Sequence, residues 1–340
     1  MRAVMFLPRP DGADVEVMKV PDPVPKPGEV LVRVRAAGLN RGELQVRRQL
    51  RSGDPQATGI EFAGEVIRVR ADPPEGRDSA PRFACGDRVM GHWRGGQAEL
   101  VSIDERLLVP IPDRLSWTEA GGWLNVFVTA HDAMVSNAAI KAGESVLVNA
   151  GSSGIGIAAL QIARLKGAAP IIASSRSAAK LERLRQYGMQ VPALAPSELS
   201  GGSADHRTVL DATSGRGVDV LIDCVGGATI DANLRLMALR GRIVSVGRLG
   251  GNHGTIDLDY LALRRLRLLG VTFRTRTLEE RIDCVQRCAA DLLEPLARGQ
   301  LQPVVDEVFP FDQVAAAHDA MLRDEHVGKI VLELSQGTRS

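Results

Sequence analysis

The chain has 340 residues, more than one hydrophobic core usually holds, so we expect two domains. Its 44% hydrophobic and 24% charged residues are typical of a soluble globular protein. The net charge is +1 and Lys and Arg are scattered among acids, which argues against a nucleic-acid partner. Neither a signal peptide nor an apolar run of membrane-spanning length is present, so we expect no membrane partner and a cytoplasmic location.

The N-terminal part alternates short strand patterns with Pro and Gly breaks. VEVMKV at 15–20 and VLVRVRAAG at 30–38 flank PDPVPKPGE, and the alternating arginines of the second run predict one solvent-facing side. Further on, ADPPEGRDSAPRFACG at 71–86 is typical of a long surface loop, whose role is not readable from the sequence.

A helix is predicted to begin shortly after residue 116. Ser116 followed by Glu119 forms a capping-box pattern, so the helix should begin near Trp117 and continue through EAGGWLNVFVTAHDAM. The lone histidines are interpreted as packing residues rather than acids or bases: His92, His131 and His318.

Residues 146–166, VLVNAGSSGIGIAALQIARLK, predict a strand, a tight turn and a helix. Val146, Leu147 and Val148 form the apolar run of a parallel strand covered on both faces. The helix then shows one apolar stripe: Ile155, Ala158, Ala159, Ile162 and Ala163.

The turn has the spacing Gly151-x-Ser153-x-x-Gly156. The first glycine should permit the tight turn, the small middle residue should let backbone N–H groups approach a pyrophosphate, and the last should allow close helix packing. The helix N-terminus would attract the anion. The residues assigned to cofactor binding here are Gly151, Ser152, Ser153, Gly154, Ile155 and Gly156.

The next strand, PIIASS at 170–175, should end at the adenosine ribose. Four residues there are assigned to the cofactor: Ser174, Ser175, Arg176 and Lys180. No acid occurs until Glu182, and a carboxylate would repel a 2′-phosphate, whereas Arg and Lys would bind it. The sequence therefore favours NADPH over NADH.

Two further strands, at 219–227 and 241–250, end in glycines where the backbone should approach the cofactor. The residues assigned there are Val225, Gly226, Val246 and Gly247. A last strand is expected at 264–277, before a helix that begins near Leu278.

Together these motifs resemble the medium-chain dehydrogenase/reductase superfamily, in its zinc-free quinone oxidoreductase (zeta-crystallin-like) branch. The matching segments include AAGLNRGEL, TGIEFAGEV, GDRVMG and the run from GGQAELV to WTEAG. The resemblance implies an α/β fold: a Rossmann doubly wound parallel sheet at 125–274 and a GroES-like β-rich catalytic domain formed by 1–124 and 275–340. It also implies a homodimer.

Zinc-dependent members of this superfamily carry a Cys and a His at positions that here are Asn40 and Ile60. The stretch that would hold a structural zinc contains only Cys85, and Cys284 and Cys288 are interpreted as buried apolar residues of a helix. We therefore expect no metal. Glu61 is interpreted as a pairing residue for backbone or arginine rather than a catalytic group.

The resemblance also implies further site residues. Thr129 should lie beside the nicotinamide ribose, Phe273 and Arg274 should border the nicotinamide, and Lys329 should lie near the cofactor phosphates. The expected substrate pocket contains Asn40, which would orient a carbonyl, with Gln45 and Arg47.

Without a metal to act as Lewis acid, alcohol oxidation is disfavoured, whereas hydride transfer to a conjugated acceptor needs none. The predicted function is NADPH-dependent reduction of a small electrophilic acceptor, a quinone or another conjugated carbonyl. Two alternatives remain: a 2-enoyl-thioester reductase acting on CoA or carrier-protein substrates, and a non-catalytic NADPH-binding protein of the crystallin-like or RNA-binding kind.

Overall fold

The computed structural model describes residues 1–70, 80–187, 189, 193–194 and 207–334. The chain divides into two compact units. The terminal unit consists of Met1–Asn125 and Thr277–Ser340, and the central unit is Val126–Arg276. Most of the loop expected at 71–86 lies outside the described residues. Within the described part, none of the helices combines the length and the apolar character that crossing a membrane requires.

The strands are short and spread along the chain. In chain order they are β1 Arg2–Arg9, β2 Gly12–Lys19, β3 Glu29–Gly38, β4 Gln56–Ala57, β5 Phe62–Val69, β6 Arg88–Gly91, β7 Leu100–Asp104, β8 Leu108–Pro110, β9 Val146–Val148, β10 Ile171–Ser174, β11 Ala193–Leu194, β12 Val218–Asp223, β13 Met237–Ser245, β14 Arg267–Gly270, β15 Val305–Pro310 and β16 Lys329–Glu333.

The helices range from single turns to one long helix near the C-terminus. They are α1 Arg41–Gln49, α2 Trp117–Gly121, α3 Leu124–His131, α4 Gly154–Leu165, α5 Ala178–Leu184, α6 Arg207–Ala212, α7 Ile230–Arg235, α8 Leu258–Leu263, α9 Leu278–Ala297 and α10 Val314–Arg323. A π-helical segment, Asp132–Asn137, follows α3.

The terminal unit is built on two sheets. β2, β1 and β4 form a three-stranded sheet, and β15, β16, β3, β5, β6 and β8 form the path of a seven-stranded sheet in which β7 also pairs with β3. β3 is the central strand, and its ends bring together segments that are far apart in the chain, because β5, β7 and β16 all pair with it.

The central unit contains one parallel sheet of six strands in the order β11-β10-β9-β12-β13-β14. The chain runs outward from β9 in one direction and then returns to β12 on its other side. In such doubly wound sheets the ligand binds outside the carboxyl ends of the strands at this reversal, here the ends of β9 and β12.

Burial explains why β9 and α4 form as predicted. All three residues of β9 are buried, as expected of an apolar strand between two helical layers. α4 buries the predicted stripe apart from Ile155, and also Ile157 and Leu160, so it is more deeply covered than one stripe implies.

Three predicted element bounds are wrong. The helix expected from Trp117 through Met134 is interrupted: α2 ends at Gly121 and α3 begins at Leu124. A Cβ on Gly121 would lie 2.8 Å from the Cβ of Ala36, so this turn packs directly on β3. β13 begins at Met237, before the predicted start, and the last predicted strand extends only over Arg267–Gly270.

Candidate functional site

The turn between β9 and α4 differs in detail from its predicted geometry. The left-handed residue is Ala150, with φ 55°, and not Gly151. Gly151 is required for space instead, because a Cβ there would lie 2.8 Å from the Cβ of Ala173 on β10. Gly156 packs closely as predicted, since its Cβ would lie 2.3 Å from the Ala150 carbonyl oxygen.

Ser153 caps α4. Its Oγ accepts from the Gly156 N–H at 3.1 Å and donates to the Ala150 carbonyl at 2.7 Å. The N–H groups of Gly154 and Ile155, in the first turn, have no partner within the helix by its geometry and point past its end. They lie at the carboxyl end of β9, where an anion would be attracted.

Only part of the predicted ribose site faces outward. The Ser174 side chain is buried and its Oγ donates to Asn149 Oδ1 at 2.7 Å, so its hydroxyl proton is already used within the core. Ser175 is half-buried, with Oγ 3.3 Å from Ser152 Oγ, so the structure brings the turn and the end of β10 together. Arg176 is exposed and Lys180 lies in the first turn of α5.

A buried carboxylate organises the loop after β12. Asp223 Oδ1 accepts from the N–H groups of Val225 at 2.9 Å and Gly226 at 3.0 Å. Its carbonyl accepts from the N–H groups of Val246 and Gly247 after β13. Four predicted cofactor residues are therefore held by one aspartate that the sequence analysis did not single out.

The loop after β14 is held by an ion pair. Arg276 lies 2.6 Å from Asp132 and its guanidinium stacks over the Phe273 ring at 4.9 Å. Phe273 is half-buried and Arg274 is exposed. The structure thus places the Phe273–Arg274 segment in a defined loop of the central unit.

Thr129, which was predicted to lie beside the nicotinamide ribose, is on α3 and its side chain is buried.

The terminal unit contains a buried polar group that we call the Lys329 cluster: Lys329, Glu61, Asn40, Asn125 and His92. Lys329 Nζ lies 2.7 Å from Glu61 Oε1 and donates to Asn40 Oδ1 at 2.7 Å and to the Leu39 carbonyl. Both members of the ion pair are buried, with side chains 5% and 1% exposed. Glu61 was predicted to pair with backbone or arginine; it accepts from the backbone N–H of Asn125, and its cation is a lysine rather than an arginine.

Asn125 connects the other members of the cluster. Its backbone N–H donates to Glu61 Oε2 at 2.9 Å, and its Nδ2 donates to Asn40 Oδ1 at 2.8 Å. His92 Nε2 lies 2.9 Å from Asn125 Oδ1. Burial lowers the pKa of His92 to about 4, so this histidine is neutral at physiological pH.

A second buried carboxyl lies beside the cluster. Glu43 Oε2 accepts from Gln97 Nε2 at 2.9 Å, and Thr58 Oγ1 donates to Gln97 Oε1, which sets the amide orientation. Burial raises the pKa of Glu43 to about 7, Glu61 adds to this rise, and the Gln97 and Lys329 donors oppose it.

Two predicted assignments fit this geometry poorly. Arg47 Nε donates to the Ala13 carbonyl of β2, so the side chain ties α1 to that strand, while Gln45 on the same helix is half-buried. Lys329 was predicted to reach the cofactor phosphates, yet its three N–H donors all have acceptors within the terminal unit. A phosphate would have to displace one of them.

The donor set at Asn40 and Glu61 does not fit zinc. A zinc ion bound by these two oxygens would lie against the buried ammonium of Lys329, and like charges at such short distances repel strongly. Zinc also needs about three Cys, His or acidic ligands, and the described residues contain no group of three that could hold a metal.

Sequence reasoning missed Asn125, Glu43, Gln97 and Asp223. Asp223 could have been found from the local sequence, because it is an acidic residue directly after the apolar run of β12. Glu43 and Gln97 had none, because each is an ordinary polar residue until the fold buries it.

Two family models match the chain. The alcohol dehydrogenase GroES-like domain matches residues 26–113, and the zinc-binding dehydrogenase family matches residues 154–287. The second match concerns the central unit and the start of α9, and so it does not include Asn40 or Glu61.

The similar proteins include quinone oxidoreductases that this chain matches over nearly their whole length. The human quinone oxidoreductase is 29% identical over 336 residues, which cover 92% of this chain and 91% of that protein. The quinone oxidoreductase of Thermus thermophilus, solved also in complex with NADPH, is 30% identical, with a TM-score of 0.78 and coverage of 98% and 100%.

A second group of similar proteins consists of large synthases. Spectinabilin polyketide synthase system protein NorB of Streptomyces orinoci is 34% identical over 309 residues, which cover 91% of this chain and 13% of that protein. The chain spans only 7% to 18% of the length of this protein and three mycobacterial synthases that also match.

Proposed function

The chain belongs to the medium-chain dehydrogenase/reductase superfamily, in its quinone oxidoreductase branch, and we propose that it transfers a hydride from NADPH to a quinone or another conjugated carbonyl without zinc. The observation that carries the proposal is the anion-attracting turn of Gly151–Gly156 at the sheet reversal, followed by a strand end without acids. The NADPH complex of the Thermus relative supports it.

The residues present fit the dinucleotide. The first-turn N–H groups of α4 would hold its pyrophosphate, and Arg176 and Lys180 would bind the 2′-phosphate. NADPH, when bound, supplies the hydride. The loops held by Asp223 would place backbone against its nicotinamide half.

Asn40 would orient the acceptor through one remaining N–H. Its Oδ1 already accepts two hydrogen bonds, and one Nδ2 proton goes to Glu61 Oε1 at 3.0 Å. The other Nδ2 proton has a weak partner in the Gly38 carbonyl, at 3.5 Å, which is the outer limit of a hydrogen bond, and the Asn40 side chain also interacts with the Glu43 carboxyl. This N–H would donate a hydrogen bond to the carbonyl of the acceptor, and water would supply the proton that completes the reduction.

Reduction of a 2-enoyl thioester is the second candidate. It is favoured by the similarity to NorB and to the mycobacterial synthases over some nine-tenths of this chain. The chemistry would be the same hydride transfer to a conjugated carbonyl, with the acceptor carried on CoA or a carrier protein.

A steady-state panel of NADPH oxidation with quinones, enones and enoyl-CoA tests the proposal, on protein treated with a chelator and assayed for zinc. We expect turnover with quinones or enones, unchanged by the chelator. Turnover with enoyl-CoA alone would select the second candidate. NADPH binding without turnover on any acceptor would favour a non-catalytic role, and loss of activity on chelation would contradict zinc independence.

Asn40→Ala tests the assignment of the acceptor end. Turnover should fall or the KM for the acceptor should rise, while NADPH affinity should stay within about threefold, because the proposed partner of Asn40 is the acceptor. Loss of NADPH binding in a folded variant would show that Asn40 has been misassigned.

A further inference from the structure

The orientation of the Asn40 amide is determined by its neighbours. Its oxygen faces two donors, Lys329 Nζ and Asn125 Nδ2, and its nitrogen faces a carboxylate oxygen of Glu61. Rotating the amide by half a turn would oppose N–H to ammonium and oxygen to carboxylate. Lys329 and Glu61 therefore select which Asn40 atom faces an acceptor.

Lys329 is the cation that acts on both neighbouring carboxyls. Lys329 and Glu61 form a buried pair, and Lys329 also lowers the pKa of Glu43, whereas the buried Arg281 acts on His92. Glu43 is 6% exposed, and its Oε1 is buried without a hydrogen-bond partner. If Glu43 were ionised, a second carboxylate would compete with Glu61 for the same ammonium at considerable cost.

We propose that Lys329 and protonated Glu43 are positioning residues for Asn40. Lys329 holds the Asn40 oxygen and Glu61 in one arrangement, and Glu43 carries a proton so that Glu61 is the only carboxylate that attracts the ammonium. Loss of the Glu43 proton draws Lys329 and the Asn40 amide toward Glu43 and disturbs the N–H offered to the acceptor. The effect on turnover rests on the proposed function.

The surroundings of Glu43 make its own proton the one that matters. Lys329 of β16 and Glu61 before β5 are the charges that act on it. Of the elements that pack on α1, β2 offers the Ala13 carbonyl to Arg47, and α10 places Asp324 against Arg41 and His318 near Arg47. Burial and Arg47 lower the pKa of His318 to about 4, so it stays neutral where Glu43 titrates.

The first test needs no turnover. Protein labelled with ¹³C at Glu carboxyls and ¹⁵N at Asn side chains is titrated from about pH 5.5 to about pH 8.5 by NMR. We expect a carboxyl signal that titrates near neutrality and is absent in Glu43→Gln, and an Asn40 amide signal that shifts with the same midpoint. Glu65→Gln, at a partly exposed pair with Arg35, should keep both. An Asn40 amide that is insensitive to the Glu43 titration would overturn the proposal.

The second test uses the acceptor. kcat/KM should fall at least about threefold from about pH 6.5 to about pH 8 in the wild-type protein, and Glu43→Gln should remove this fall while leaving NADPH affinity unchanged. A profile that is the same in both proteins would also refute the proposal. If the NMR result holds but no acceptor is turned over, the proposed function fails and the positioning role stands.

A single substitution at Lys329 would leave the Glu61 carboxylate buried without its cation and could unfold the protein. The double variant Lys329→Met/Glu61→Gln avoids this, because it removes both buried charges at once. In this variant the Asn40 amide signal should lose its dependence on Glu43 and the acceptor KM should rise, with NADPH affinity unchanged. An unaltered Asn40 signal would show that Lys329 does not position it.

Discussion

The two units carry their candidate site residues in different ways. In the central unit the candidates are mainly backbone groups of short loops, such as Gly151–Gly156, that lie at the ends of consecutive strands. In the terminal unit they are side chains, and Lys329 is 289 residues from its partner Asn40 in the chain. The first kind of site depends on steric room for the backbone, whereas the second depends on the pairing of buried charges.

The largest effect is expected from breaking the buried ion pair. Lys329→Met should destabilise the terminal unit by about 3–5 kcal/mol, because it leaves the Glu61 carboxylate buried without its cation. All three tryptophans, Trp93, Trp117 and Trp123, lie in this unit, so urea unfolding followed by tryptophan fluorescence reports on it. Asp283→Ala, at an exposed pair with Arg287, is the control and should cost less than about 0.5 kcal/mol. Equal effects would contradict the structural role of Lys329.

The pH dependence of the same unit should show the Glu43 proton. The unfolded chain releases this proton near pH 4.5 and the folded chain near pH 7, so Glu43 makes stability fall as the pH rises between these values. Over this pH range the free energy of unfolding should fall by about 3 kcal/mol, and Glu43→Gln should remove this fall. Deprotonation of His92 makes the free energy of unfolding rise between about pH 4 and pH 6.5. This effect cancels when the wild-type protein and Glu43→Gln are compared at the same pH. Identical stability profiles would contradict a buried Glu43 acid.

In the central unit the sensitive feature is backbone space. Gly156→Ala should cost about 1–3 kcal/mol and weaken NADPH binding, because the added Cβ would displace the Ala150 carbonyl. Gly270→Ala is the matched control, since nothing lies within 4 Å of its Cβ position. Calorimetric titration with NADPH measures the difference. Unchanged NADPH affinity in Gly156→Ala would exclude this turn from the cofactor site.

The smallest effect concerns cofactor choice. Arg176→Ala should narrow the preference for NADPH over NADH by roughly 1–3 kcal/mol, through loss of a charge-assisted bond to the 2′-phosphate. Arg185→Ala, which removes an arginine from an exposed pair with Glu182, is the control and should leave the preference unchanged. Equal affinity of the wild-type protein for the two cofactors would refute the NADPH assignment.

The sequence by itself determined the elements around the glycine turn, because their signals are local. An apolar run predicts β9, a capping serine and an apolar stripe predict α4, and the capping box at Ser116 predicts the start of α2. It also determined the family, since several ordered motifs together are more specific than any one of them. The roles of Ala150, Gly151 and Ser153 were decided by the tertiary structure, because φ angles and hydroxyl partners depend on the packing of β10.

Only the tertiary structure decided the Lys329 cluster. The spacing of Lys329, Glu61 and Asn125 in the sequence does not predict that they meet, nor that Glu43 and Gln97 lie beside them. They meet because β3 pairs with both β5 and β16, which brings the segment before β5 and the first residue of β16 to the same end of β3. Burial then turns a lysine into a structural cation and a glutamate into an acid that titrates near neutrality, since the cost of a buried charge depends on its surroundings and not on its position in the chain.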